Sequence, residues 1–418
     1  MKNLFKYASL LMAAAMLFAC EGNDNGDDPV GPNGNTGSEF KLTADKAIIQ
    51  TFGGDFATLS VTLGDEKITE EVIFFDGDKK VIEIPDFKFA VETPGEYVII
   101  ASYGTYISEP LTIRAIGIEI PETPADPNPG STDFKARVLM TEFTTTGCTY
   151  CPGMKSLVHQ SLADAAMVEK FMITECHSGT MNNVKDSGYI KTGYEDFSQS
   201  TGYPYMFCDM YYGFGYYPTW SVTDFNAEVD KLYSQKAADA AGIAVVSSLK
   251  DGQLVAKVTV KASVKGNYRI GAFILEDGIY GAQTSATADW MNRHDNVIRY
   301  IDSKYYSKAG KEQFYGHSLG SLESGKTADY IFIWDLNTIW DEGSKMCELY
   351  GGTVWGNAKD NEKAQTVKKG KAEFVAGQDL HLAVFTSTIG TDLEGNEFYY
   401  VNNVVDSPVN GETPYEYK

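Results

Sequence analysis

The sequence predicts a multidomain α+β chain, with a small β-sandwich, then an α/β unit, then a larger β-sandwich. Three observations carry that expectation. Alternating apolar and polar runs, broken by Gly, Pro and Asp turns, fill residues 39–120 and 237–418. Between them, residues 134–236 read as strand, helix, strand, further strands and a closing helix, an order that fits an α/β unit. At 418 residues the chain is also too long for one core and suggests about three domains.

Residues 1–19 are expected to be a signal segment rather than fold. Lys2 and Lys6 give a basic start, and Leu10 to Phe18 is an apolar run too short to span a bilayer comfortably. The run ends Leu17-Phe18-Ala19-Cys20. A small residue before Cys is what a lipoprotein signal peptidase requires, so Cys20 is the expected lipidation site and new N-terminus. Phe18 is bulkier than usual there, and an ordinary secretory signal with a chance Cys is the alternative. Two or three acyl chains would give a stable membrane anchor. Residues 20–38 follow as a tether, rich in Gly, Asn and Asp and almost without apolar side chains.

Charge narrows the partners. With 35 basic and 57 acidic residues the net charge is -22, and no basic run occurs. Nucleic-acid binding is not expected, because phosphates demand clustered Lys and Arg. The plain reading of the acidity is solubility outside the cell.

Within residues 39–120, Ala57 to Leu63, Val81 to Ile84, Tyr97 to Ser102 and Leu111 to Ile116 read as strands. Gly53-Gly54, Asp76-Gly77-Asp78 and Pro94-Gly95 mark turns between them. Short alternating strands at this spacing suggest an immunoglobulin-like sandwich without a disulfide. It would act as a spacer above the membrane or as an adhesion or carbohydrate-contact module. Residues 121–133 (PETPADPNPGSTD) read as a linker stiffened by proline.

From Phe134, Arg137 to Phe143 reads as a strand. A helix follows with Met154, Leu157, Val158, Ser161, Leu162 and Ala165 on one face. Val168 to Cys176 and Met206 to Met210 read as strands, and Phe225, Val229 and Leu232 mark the closing helix of the 134–236 unit. In 237–418, Ile243 to Leu249 and Leu254 to Val260 flank Asp251-Gly252, a hairpin signal. Arg269 to Leu275, Tyr330 to Trp334, Leu380 to Thr386 and Phe398 to Val401 continue the strands. Together they suggest a C-terminal β-sandwich with long loops.

After Cys20, five thiols remain: Cys148, Cys151, Cys176, Cys208 and Cys347. An odd number in an oxidising compartment excludes a disulfide scaffold and suggests one working pair with mostly buried single cysteines. The Cys148-Thr149-Tyr150-Cys151 spacing puts both sulfurs on one helix turn. Cys148 falls at the helix N-terminus, where backbone N–H groups and the dipole favour a thiolate. Cys151 lies one turn in, where it can resolve a mixed disulfide. Pro152 is tolerable in the first helical turn. A structural disulfide and a zinc half-site are the competing readings, although no second Cys-x-x-Cys or His-x-x-x-His accompanies the pair.

Two more residues fit redox chemistry. Glu142, six residues before Cys148, could take the proton of Cys151 if buried, or could be an edge-facing charge. Pro204, after Tyr203, would if cis bring backbone beside the pair and hold an extended polypeptide, though Pro also opens strands in trans. Cys176-His177 could be a metal pair, but neighbours on a strand point to opposite faces, so Cys176 reads as core. Tyr211, Tyr212, Phe214, Tyr216, Tyr217 and Trp220 form an aromatic belt that could grip a peptide or glycan or simply pack. His294, His317 and His381 have no partner spacing and are assigned nothing. No metal and no cofactor are expected.

The strand with Glu142, the Cys148–Cys151 pair, helix, strand, Tyr203-Pro204, strand and closing helix resemble the thioredoxin superfamily. The lipobox, the stretch EFTTTGCTYCPGM, His177 to Gly179 and the β-rich tail resemble the twenty-eight-kilodalton outer membrane protein-related lipoproteins of Bacteroidota. That resemblance covers about Phe134 to Lys418. No Trp precedes Cys148, and Cys176 and Cys208 are added thiols, which departs from many thioredoxins. The resemblance implies an outer-membrane, lipid-anchored protein on the periplasmic or surface face. The resulting expectation is a thiol–disulfide oxidoreductase in which Cys148 attacks, Cys151 resolves, Glu142 shuttles a proton and Pro204 shapes the groove. Its partners would be protein thiols, disulfides or peptide. The alternative is a surface binding or adhesin protein that uses the same fold as a non-catalytic scaffold.

Overall fold

A computed structural model describes residues 40–177, 194, 196–236, 238–302, 314–349, 370–391 and 397–418. The expected signal segment 1–19, lipidation at Cys20 and tether 20–38 lie outside the described residues. So do Ser178 and Gly179, and no described helix is long and apolar enough to cross a membrane. The chain divides into two compact units, Met1–Glu119 and Ile120–Lys418, rich in strands and built from several sheets.

The first unit contains β1 (Phe40–Ala44), β2 (Ile48–Gln50), β3 (Ala57–Leu63), β4 (Glu66–Ile68), β5 (Ile73–Asp76), β6 (Val81–Ile82), β7 (Lys88–Phe89), β8 (Gly95–Tyr103), β9 (Tyr106–Ile107) and β10 (Leu111–Ile116). Strands β1, β3, β4 and β7 form one sheet, and the others form a second. Alternation makes the core. Ala57, Leu59 and Val61 are the buried face of β3, and they share one cluster with Ile99 of β8 and Ile113 of β10. Each of the Leu, Val and Ile side chains here contributes about 1.5–3 kcal/mol of burial. Asp76 builds a turn by accepting the N–H groups of Asp78 at 3.0 Å and Lys80 at 2.8 Å. The strand expected to reach Ile84 stops at Ile82, because Pro85 opens a short helical turn in which Asp86 has φ 52°.

The second unit contains β11 (Val138–Thr144), β12 (Phe171–His177), β13 (Tyr205–Cys208), β14 (Tyr212–Gly215), β15 (Gly242–Lys250), β16 (Gln253–Lys261), β17 (Gly266–Glu276), β18 (Ile279–Tyr280), β19 (Arg293–His294), β20 (Val297–Ile301), β21 (His317–Leu322), β22 (Thr327–Asp335), β23 (Leu380–Thr391), β24 (Glu397–Pro408) and β25 (Glu412–Thr413). Its longer helices are α1 (Cys151–Leu162), α2 (Val222–Lys236) and α3 (Leu336–Leu349).

Strands β11 and β12 are parallel, from Val138↔Phe171 to Thr144↔His177, and α1 makes the crossover between them. The pleat divides β11 between two cores. Val138 and Met140 pack with Met154 and Leu157 of α1 and with Phe225 and Val229 of α2. Leu139 and Phe143 point the other way, into a cluster with Tyr194 and Phe207. Helix α1 ends at Leu162, short of Ala165. The chain then turns, with Asp164 accepting the N–H of Ala166 at 2.9 Å, so the next strand begins at Phe171 rather than Val168. Strand β13 stops at Cys208, short of Met210, because Asp209 (φ 48°) and Met210 (φ 61°) are left-handed.

The expected division at 236/237 runs through a continuous sheet. A nine-stranded sheet is ordered β14-β13-β11-β12-β20-β17-β23-β24, with β21 also paired to β17. The link is β12 to β20, at Glu175↔Val297. A second sheet, β22-β16-β15-β25, encloses with it a core that includes Ile243, Val258, Ile270, Phe332, Leu382 and Val384. One of the two sheets around this core therefore also carries β11, β12, β13 and β14. Periodicity locates strands but does not say which strand lies beside which, so this joining is not readable along the chain.

Two further differences have local causes. Helix α3 is absent from the sequence reading, and Asp335 starts it by accepting the N–H of Asn337 at 2.9 Å and the hydroxyl of Thr338 at 3.1 Å. The proline-rich stretch 121–133 lies against β16, where buried Lys261 donates to Asp126 and to the Pro129 carbonyl, both at 2.8 Å, and Lys257 donates to Glu122 at 2.6 Å. A buried ammonium needs such acceptors, and the linker supplies them.

Candidate functional site

Strand β11 delivers the chain into a Thr-rich turn, and the turn delivers it to the first residue of α1. Cys148 donates its N–H to Thr145 O at 3.0 Å, and Cys148 and Cys151 form a disulfide. The two sulfurs are not equivalent. Cys148 is half-buried, whereas Cys151 is 2% exposed. The N–H of Cys151 points at Cys148 Sγ, 3.0 Å away. That donor at a helix N-terminus stabilises negative charge on Cys148 once the disulfide opens. Tyr150 is 61% exposed. Gly153 lets the Tyr216 ring close onto α1, since a Cβ there would lie 2.4 Å from that ring and push it aside.

The turn is held from a distant part of the chain. Gln283 is buried, and its Nε2 lies 2.9 Å from Cys148 O, 3.2 Å from Thr145 O and 3.3 Å from Thr146 O. Its two amide hydrogens are thus shared among these three carbonyls and that of Thr284, 3.4 Å away. Thr284 donates its N–H to Thr146 O at 2.6 Å. The same segment covers α1, with Trp290 stacked on His159 at 4.3 Å and Lys155 donating to Arg293 O at 2.7 Å. No motif in the sequence marks Gln283, and its partners emerge only from the fold.

Below α1 the sheet carries a polar cluster. Glu142 and Glu175 are Cα partners on β11 and β12, and both share the pleat face of Val138 and Met140, toward α1. Glu142 is 2% exposed, and its Oε1 has no hydrogen-bond partner among the described residues. It is therefore not an edge-facing charge. Burial, with Glu175 opposite, pushes the Glu142 carboxyl well above the usual range, and Lys155 offsets this only in part. Burial acts on Glu175 too, but Lys155, His177 and His294 outweigh it and hold that carboxyl well below the usual range. Lys155 Nζ lies 3.3 Å from Glu175 Oε1, while His177 Nε2 and His294 Nδ1 lie 2.9 and 3.2 Å from Oε2. Burial lowers the pKa of His177 despite the pull of Glu175. Spacing along the chain gives His294 no partner. The β18–β19 hairpin brings it beside His177, with ring centroids 4.6 Å apart.

The Tyr203–Pro204 peptide is cis, and Pro204 is buried just before β13, whose Tyr205 pairs with Phe143. Cys176 and Cys208 are buried outside the disulfide, and burial raises the Cys208 thiol well above its usual range. Cys176 faces the cluster of Phe143 while His177 faces α1, as the pleat requires. The aromatic belt is largely packing. Phe214 meets Trp220 and Phe225, and Tyr211 meets Phe398 and Tyr400, while Tyr217 stays exposed.

The class defined so far is a strand-rich, multi-sheet protein with a disulfide at the N-terminus of a helix, above a buried pair of carboxyls. No family model matches the chain, and no curated protein matches it. Among solved structures it is similar to HBP35 of Porphyromonas gingivalis, at 13% identity over 67% of this chain and 77% of that one, with a TM-score of 0.45.

Proposed function

We propose that this chain is an outer-membrane lipoprotein whose thioredoxin-like region exchanges thiols and disulfides through Cys148 and Cys151. The observation that carries the reading is the asymmetry of the pair. Cys148 is the more accessible residue and its sulfur receives the N–H of Cys151, whereas Cys151 is buried. In the reduced protein, Cys148 thiolate attacks a partner disulfide, forms a mixed disulfide and expels one partner thiolate. Cys151 loses its proton to Glu142, attacks Cys148 Sγ and expels the second partner thiolate. The partner gains two electrons and the Cys148–Cys151 disulfide re-forms. Burial beside Glu175 raises the Glu142 pKa, which makes its carboxylate a stronger acceptor for that proton. Pro204, next to the strand paired with β11, would line the groove for an extended polypeptide. Lipid on Cys20 would hold the protein at the membrane, and the first unit would serve as an immunoglobulin-like spacer.

The test is trapping. Reduced Cys151→Ser protein, mixed with a disulfide-bonded peptide, should accumulate a mixed disulfide at Cys148, and Cys148→Ser should accumulate none. If neither variant forms an adduct while both lose stability, the disulfide is a static brace and the chain is a binding protein.

A further inference from the structure

We propose that Glu175, His177 and His294 form a binding site for a divalent transition metal of the zinc class, beneath the first turns of α1. The site does not depend on exchange at Cys148 and Cys151. Its three ligand atoms, Glu175 Oε2, His177 Nε2 and His294 Nδ1, all lie within 4.8 Å of one another. Oε2 is 2.9 Å from His177 Nε2 and 3.2 Å from His294 Nδ1. Tetrahedral zinc, with ligands at about 2.0–2.1 Å, places ligand atoms roughly 3.3 Å apart. The backbone brings the three residues together. Glu175 and His177 are alternate residues of β12 and share a face, while His294 is carried in by β19, paired to Ile279.

The tautomer of His294 is set in the manner usual for metal ligands. Its Nε2 lies 3.2 Å from the Gly281 carbonyl, so the proton belongs on Nε2 and the lone pair of Nδ1 faces Glu175. With the lone pair of Nδ1 turned toward a carboxylate oxygen at 3.2 Å, a cation beside the two is favourable. Lys155 supplies one, 3.3 Å from Glu175 Oε1 and 3.3 Å from His294 Nδ1. It occupies the other carboxylate oxygen, Oε1. A metal on Oε2 displaces it only from His294 and leaves it on Oε1 and the Arg293 carbonyl. Imidazole with carboxylate suits zinc, copper, nickel or iron, whereas calcium and magnesium favour all-oxygen sets. Three protein ligands leave a fourth position for water or an exogenous group.

The experiment uses the full oxidised chain, stripped with chelator and titrated with Co²⁺, then Zn²⁺. The expected result is saturable, stoichiometric binding with a tetrahedral cobalt absorption band that zinc abolishes. His177→Ala and His294→Ala should each weaken binding by roughly ten- to a hundredfold. The Cys148→Ser/Cys151→Ser double variant should bind as wild type does, which shows that thiols are not ligands. Lys155→Met removes the competing ammonium and should tighten binding by roughly tenfold, a gain that misfolding cannot mimic. Failure of both wild type and Lys155→Met to bind saturably would overturn the proposal. Binding that survives both histidine substitutions, or that Lys155→Met leaves unchanged or weakens, would overturn it as well.

Discussion

The side-chain amide of Gln283 donates to the main-chain carbonyl of Cys148 at 2.9 Å. A residue from the segment between β17 and β20 thereby holds the backbone of the more accessible cysteine. Gln283→Ala would leave the carbonyls of Thr145, Thr146 and Cys148 without this donor, at a cost of about 1–3 kcal/mol. The expected outcome is faster hydrogen exchange at the amides of residues 145–148 and faster reduction of the disulfide by dithiothreitol. Unchanged protection would mean that the segment does not restrain the turn.

Lys236, the last residue of α2, donates to Asp209 Oδ1 at 2.7 Å, and both side chains are 2% exposed. Burial pushes the Lys236 pKa down and the Asp209 pKa up, and each partner opposes that shift in the other. Lys236→Met would strand a buried carboxylate, which also accepts the N–H of Leu139, and should destabilise the chain by about 3–5 kcal/mol in urea unfolding. Adding Asp209→Asn should recover part of the loss. No recovery would show that the cost comes from packing rather than from charge.

His381 of β23 gives a pH dependence with a definite sign. Burial disfavours its charged ring, but Asp406 at 2.6 Å and Asp277 at 3.3 Å outweigh burial and raise its pKa from 6.5 to about 9. A raised folded-state pKa contributes stability that is complete below about 6.5 and disappears as pH rises through about 9. His381→Gln should therefore be less stable than wild type at pH 6, by an amount on the order of 1–3 kcal/mol. The two proteins should converge by pH 10. A difference constant across that range would remove the ion pairs from the account.

Anchoring is tested at Cys20. Cys20→Ala expressed in an outer-membrane host should appear in the aqueous phase of a detergent partition, or remain uncleaved. Wild-type-like partition into detergent would contradict lipidation at this residue.

The local elements were legible, and their assembly was not. Strand β3 covers Ala57–Leu63 and β10 covers Leu111–Ile116, where the alternation places them, because a half-buried strand writes its buried face into every second residue. Asp251 and Gly252 turn the β15–β16 hairpin with φ 51° and 80°. Glu142 was noticed because it lies just before the cysteine pair on the same stretch of chain. His294 and Gln283 could not be found that way. Their partners, Glu175 and the Cys148 turn, are more than a hundred residues away, and only the β18–β19 hairpin and the β12–β20 pairing bring them together. The same pairing merges two expected domains into one sheet, since Val297 to Ile301 is a wholly buried strand without alternation to mark its neighbours.

The central claim is that the Cys148–Cys151 disulfide is exchanged rather than structural, and its reduction potential tests this most directly. Equilibration of the full chain with glutathione or dithiothreitol buffers, read by differential alkylation, should give a potential above about -300 mV. After reduction, Cys148 should alkylate faster than the buried Cys151. A potential below about -300 mV, together with equally slow alkylation of both thiols, would contradict the account and make the disulfide a brace.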